Sequence, residues 1–294
     1  MADSKPARHI AIVTDSTASL APEAVAEHAI TVVPVQVIIG ATSYDDGMAT
    51  QSMVAHALEH WTPVSTSRPN PSSFVEAYEK AVAAGATEII SLHISADLSG
   101  TFDSAKIAAK ELKAQGVKVT VVDTRQTAFA LGYAVLAAAH VVENGGSARK
   151  AVNAARTRAE STASLFYVDT LEYLRRGGRV TAVAAILGGA LAVKPLLRLA
   201  EGKIESFEKV RTAGKALARL EELAATHATA TLEGVPVTVT VGHLASPDRA
   251  RVLAEKLAAR LDVAGDIEIA ELGAVLGAHV GPGMVAVAVA PAID

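Results

Sequence analysis

Short β-branched runs alternate with Ala-rich amphipathic stretches through the first half of the chain. The runs "HIAIVTD" (9–15), "TVVPVQVII" (31–39), "EIISLHIS" (88–95) and "KVTVVDT" (118–124) predict strands. Apolar spacing between them predicts helices near 22–29, 50–60, 73–84, 101–115, 128–143 and 147–160. Strands separated by crossover helices build a mostly parallel sheet. From about 164 the pattern changes. "LLRLAEGKIESFEKV" (196–210) reads as two strands joined at Glu201-Gly202, followed by a helix over 214–228, a strand over 235–243, a helix over 248–261, and strands over 266–272 and 284–290. The predicted class is α/β with two domains. Residues 1–163 form a mostly parallel sheet flanked by helices, and residues 164–294 form an α+β domain with a largely antiparallel sheet. No internal repeat of solenoid length is present.

Composition narrows the functional classes. Half of the 294 residues are hydrophobic, which is enough for a sizeable core in each part. A formal charge of −4, with basic residues scattered rather than striped, provides no field for a phosphate backbone, so nucleic acid is not an expected partner. The chain contains no cysteine, which excludes disulfides, thiolate nucleophiles and cysteine-based zinc sites. "MADSKPARHIAIVTDS" passes from a short polar leader into a strand without the apolar core of a secretory signal, so a cytoplasmic location is expected. "VTAVAAILGGALAV" (180–193) is shorter than the roughly 20 residues that span a bilayer, and it predicts a buried helix.

Hydroxyls and carboxylates concentrate where strands pass into loops: "TDST" (14–17), "STSRPNP" (65–71), "SADLSGT" (95–101) and "DTRQT" (123–127). In an open parallel sheet these are the ends at which ligands bind. Ser99 stands where an N-cap belongs, and Gly100 would let a ligand approach the first-turn amides; this is either a plain capped helix or an anion site. Ser73 and Glu76 have capping-box spacing and read as structural. Thr66 and Ser67 have no evident capping duty, so their hydroxyls are either solvated or available to a ligand. In "DTLEYLRRGGRV" (169–180), a helix ends at Gly177 with Arg175, Arg176 and Arg179 around it, giving either capping electrostatics or an anion clamp.

The nine histidines form neither HxH nor HExxH, so no metal site is expected. His279, in "VLGAHVGPGM" (275–284), is open to several roles: general base, hydrogen-bond partner of an anion, or packing. A serine-dependent lipid hydrolase or acyltransferase, with Ser99 as nucleophile and His279 as base, is the alternative to a binding function; the GxSxG elbow is absent. Phosphate-binding and dinucleotide glycine motifs are also absent. Aromatic residues make up 4% of the chain, which suits a slim aliphatic channel better than a stacked-ring cofactor site.

"IVTDSTASL", "TSRPNP", "SADLSGTFDSA", "VVDT", "VDTLEYLRRGGRV", "KPLL" followed by "KVRT", and "GAHVGPG" occur in the order found in DegV family proteins, and over nearly its whole length the chain resembles the fatty-acid-binding FakB type. The resemblance implies a two-domain carrier with no catalytic residues of its own, holding one long-chain fatty acid as ligand and needing no other cofactor. It also implies a separate ATP-dependent kinase of the FakA type as partner, and it leaves room for transient, peripheral membrane contact. Matched by motif, Thr66, Ser99 and His279 would contact the carboxylate, with Ser67, Ser95 and Gly100 as further candidates in the same loops. Arg179 and Arg211 would face the partner or the head group. Val280 stands where the family usually has threonine, and "KVRTAGKA" has fewer basic residues after Arg211. A long tail adds roughly 0.8 kcal/mol per buried methylene. A neutral Ser/Thr/His cluster would then suffice to fix which end faces out, and the tail would run along 180–193.

Overall fold

The computed structural model describes residues 9–179, 193–231 and 234–293. The first part runs β1 (Ile10–Asp15), α1 (Pro22–Glu27), β2 (Thr31–Val33), β3 (Gln36–Ile39), β4 (Thr42–Asp45), α2 (Gln51–Glu59), β5 (Val64–Ser67), α3 (Pro71–Ala83), β6 (Glu88–His93), α4 (Thr101–Ala114), β7 (Lys118–Asp123), α5 (Ala128–Glu143) and α6 (Ala148–Ser161). The second continues with β8 (Ala163–Tyr167), α7 (Glu172–Arg176), β9 (Lys194–Ala200), β10 (Lys203–Val210), α8 (Ala213–Thr231), β11 (Val237–His243), α9 (Pro247–Ala258), β12 (Glu268–Glu271), α10 (Ala274–Val280) and β13 (Val285–Pro291).

Among the described residues three sheets result. Strands β2-β1-β6-β7 form a parallel sheet, β4-β3-β5 a small antiparallel one, and β10-β9-β8-β13-β11-β12 a mixed one in which only the β11–β12 pairing is parallel. Because side chains alternate across β6, Ile90 and Leu92 pack with α5 and α6 while Ile89 packs with α3 and α4. The parallel sheet is therefore covered on both faces, as its continuous apolar strands require. On the mixed sheet, Leu165, Tyr167 and Leu196 face α8 and α9, and Phe166 and Leu197 turn the other way, toward Phe129 and Tyr133 of α5. Helix α5 is apolar nearly all round and lies between the two larger sheets. Among the described residues, no helix is long and apolar enough to cross a membrane.

Three sequence expectations are corrected. The run 31–39 is not one strand, because Pro34 lacks an N–H and holds Val33 extended. β2 stays in the parallel sheet, and β3 leaves it to pair with β4 and β5, neither of which was expected. Ser73 and Glu76 do not form a capping box: Asn70 is the N-cap, Pro71 takes the first helical position, and Glu76 pairs with Lys80 at 2.7 Å. Ser99 is not the N-cap of α4 either, since that position falls on Gly100. His279 lies on a short helix, α10, for which no element was predicted. The Glu201-Gly202 hairpin forms as expected, with both residues at positive φ, the signature of a tight primed turn. The predicted buried helix over 180–193 lies, except for Val193, outside the described residues.

Candidate functional site

An apolar cavity lies where the parallel sheet, the small sheet and the mixed sheet meet. Leu98, Phe166, Leu199, Ile204, Val280 and Met284 contribute to its walls. Polar side chains gather at one end: Thr66 from β5, Ser99 from the loop before α4, His279 from α10, and Arg68 and Arg179 from loops. Val280 adds a buried methyl-bearing wall directly after His279.

Thr66 Oγ1 and His279 Nε2 are 2.8 Å apart, joining residues 213 positions apart in sequence. His279 Nδ1 is buried and has no hydrogen-bond partner among the described residues. Either tautomer leaves Nδ1 unpaired, and the pair can bond in both directions, Thr66 Oγ1 donating to Nε2 or Nε2–H donating to Thr66 Oγ1. When Nε2 donates, the Thr66 hydroxyl hydrogen is free for a ligand oxygen. Burial first, and the nearby Arg179 guanidinium second, push the His279 pKa down to about 4. At neutral pH the imidazole is uncharged.

Glycines let this cluster close. A Cβ on Gly177 would collide with His279 Nδ1, so the glycine after α7 does more than end a helix; the left-handed position falls on Gly178. A Cβ on Gly281 would strike the Tyr173 ring, and one on Gly283 the Asp169 carboxylate. Asp169 in turn holds Lys194 at 2.6 Å and Arg249 at 3.3 Å. The motifs "DTLEYLRRGGR", "KPLL" and "GAHVGPG" are thus packed directly on one another.

The other expected residues take distinct places. Ser99 lines the cavity, with its Oγ 2.9 Å from Thr101 Oγ1 and accepting from Thr101 N–H at 3.3 Å. Gly100 leaves room for Arg68, whose side chain lies where a Cβ would sit. Arg179 donates from Nε to Leu98 O at 3.1 Å and from Nη1 to Gly177 O, at the cavity's polar end. Ser67 points away and interacts with Arg68 O at 3.4 Å. Ser95 is fully buried elsewhere, donating to Gly202 O at 2.7 Å. Arg211 is exposed just beyond β10. Sequence reasoning missed Arg68, although it sits inside the quoted "TSRPNP", and the expected all-neutral polar end is corrected: two guanidinium groups share it.

Nucleophilic catalysis has little geometric support. Ser99 Oγ is bonded to Thr101 rather than to His279, and among the described residues no carboxylate bonds His279. An Asp-His-Ser array does exist at Asp15, His93 and Ser91, but all three are sealed in the core. Among the described residues no group of three or more potential ligands is placed to hold a metal ion.

Comparison with known proteins bears on the whole chain. The family model described as "Uncharacterised protein, DegV family" matches residues 9–292. A DegV domain-containing protein of Streptomyces coelicolor is 52% identical over 284 residues, covering 96% of this chain and 98% of the relative. One from Deinococcus radiodurans is 40% identical over 288 residues, covering 96% and 98%. Among solved structures, a fatty-acid-binding DegV family protein from Thermus thermophilus superimposes with a TM-score of 0.89 at 31% identity, covering 96% of this chain and 99% of that one. DegV of Bacillus subtilis, described as a fatty acid binding protein, gives 0.87 at 30% identity, covering 97% and 100%. With the sheet order, the clustered glycine motifs and these matches in agreement, the chain belongs to the DegV family.

Proposed function

We propose that this protein is a cytoplasmic carrier that binds one long-chain fatty acid and presents its carboxylate to a separate ATP-dependent fatty acid kinase for acyl-phosphate formation. The observation that carries the reading is a largely apolar cavity with Thr66, Ser99, His279, Arg68 and Arg179 clustered in its lining. The fatty acid binding of the Thermus thermophilus and Bacillus subtilis proteins supports it. Residues 1–163 supply Thr66 and Ser99; residues 164–294 close over the tail and add His279 and Arg179. Apolar burial, at roughly 0.8 kcal/mol per methylene, provides most of the affinity. The hydroxyls and neutral imidazole orient the carboxylate, and Arg179, with Nε and Nη1 bonded to carbonyls, adds positive potential.

Organic extraction of the purified protein followed by mass spectrometry tests the ligand class. Free fatty acid near one per chain is the expected result. Ester turnover that disappears in Ser99→Ala would replace the carrier with the hydrolase or acyltransferase reading. Incubating the loaded protein with a fatty acid kinase and ATP, then trapping acyl phosphate with hydroxylamine, tests presentation; no hydroxamate with the loaded carrier would remove that half of the proposal.

A further inference from the structure

We propose that Asp46, which does not line the lipid cavity, is a positioning residue that sets where His279 stands by capping the opposite end of its helix. This rests on the fatty-acid-binding reading for its consequence, but not for its geometry. Helix α10 has Gly273 as N-cap and no side-chain cap of its own. The cap arrives from 229 positions away: Asp46 Oδ1 accepts the Val275 N–H at 3.4 Å, and the nearby Ala274 and Gly47 amides and Ser16 hydroxyl favour its charged form. A negative charge at this end of a helix is stabilising. Gly273 permits the approach, since a Cβ there would stand 3.3 Å from Asp46 Oδ2.

The two ends of α10 are fastened to the same small sheet. Asp46 directly follows β4, Thr66 lies in β5, and β3 runs between these two strands. A seven-residue helix is about 10 Å long, and two strand spacings amount to about 10 Å. α10 therefore crosses the sheet with its first turn on Asp46 and its last on Thr66, where His279 Nε2 meets the hydroxyl at 2.8 Å. Asp46 faces a separate cleft, shared with Ser16, Glu268 and Glu271. Burial raises its pKa, and the amide and hydroxyl donors oppose that rise.

Two readouts test this. Palmitate affinity of the delipidated protein, measured by calorimetry, should fall about fivefold in Asp46→Ala, the scale of a lost helix cap, and recover in Asp46→Asn, which keeps an acceptor oxygen of the same shape. The His279 ring, followed by NMR titration without ligand, should move from its depressed value toward an ordinary histidine in Asp46→Ala and stay depressed in Asp46→Asn. If Asp46→Ala does not fold, Asp46→Glu, with its carboxylate displaced by one methylene, should show the same changes in part. Wild-type affinity together with an unmoved His279 titration in the Ala or Glu variant would overturn the proposal. Should wild type bind neither palmitate nor other long-chain fatty acids, the carrier reading fails while the titration still judges Asp46.

Discussion

His93 and His279 both leave water on folding, and they differ in what their ring nitrogens are left to do. His93 is fully buried, and both nitrogens are engaged: Nδ1 lies 2.9 Å from Asp15 Oδ2 and Nε2 lies 2.6 Å from Ser91 Oγ, which also accepts from Tyr78. Phe74 packs edge-on against the ring at 5.0 Å. His279 has one bonded nitrogen, one bare nitrogen, a cationic neighbour and a cavity beside it. An Asp-His-Ser array by itself therefore marks a structural network here, and a ring paired with a hydroxyl at a cavity wall marks the candidate site.

The comparison breaks if the two rings respond alike to change. The largest expected effect is in the core: His93→Ala leaves the buried Asp15 carboxylate without its ring partner, a loss of about 3 kcal/mol or more. Thermal denaturation should show a fall on the order of 10 °C, with palmitate affinity per folded molecule retained. A selective loss of affinity with unchanged melting would reverse the assignment. Second is a pH effect confined to His279. Its folded pKa of about 4 lies below the ordinary 6.5, so the unfolded chain binds the proton first. Stability from this group is intact above pH 6.5, declines as pH falls toward 4, and levels off below. Subtracting the denaturant-derived stability of His279→Gln from that of wild type across this window isolates the slope; a flat difference would contradict the depressed pKa.

Third, His279→Ala should weaken palmitate binding about tenfold, by removing the ring that orients the Thr66 hydroxyl, and should affect hexadecanol much less. Equal losses for acid and alcohol would mean that His279 packs rather than orients the head-group contact. Smallest is Gly177→Ala, whose added methyl displaces the His279 ring without removing it. A loss of a few-fold in palmitate affinity is expected by calorimetry, on the scale of a modest overpacking strain. An unchanged affinity would show that the close Gly177 contact has no role in ligand geometry.

Local patterns in the chain carried most of the elements. Long periodic segments such as 101–115 and 128–143 became α4 and α5 with ends displaced by at most one residue. What local pattern left open was set by distant partners. Ser95 and Ser99 lie four residues apart in similar surroundings, yet one hydroxyl holds a hairpin and the other lines the cavity, a choice made by the position of Gly202. Pro34 was visible, but its consequence depended on β4 and β5 offering β3 a second sheet. Helix α10 is too short for a clear period, and its cap comes from Asp46. Arg68 became notable only because Gly100, from another loop, leaves space for it.

The Ser95–Gly202 contact reaches further than its own hydrogen bond. The hairpin tip also carries Glu201, bonded to Arg125, and is followed by Lys203, 3.8 Å from Asp97, while Leu199 and Ile204 on its inner side wall the cavity. Any hydrocarbon resting on those two side chains shares its binding free energy with the docking of the tip, so occupancy and docking are thermodynamically linked. Amide exchange at the hairpin tip should slow as the cavity fills, making this corner a built-in gauge of cargo.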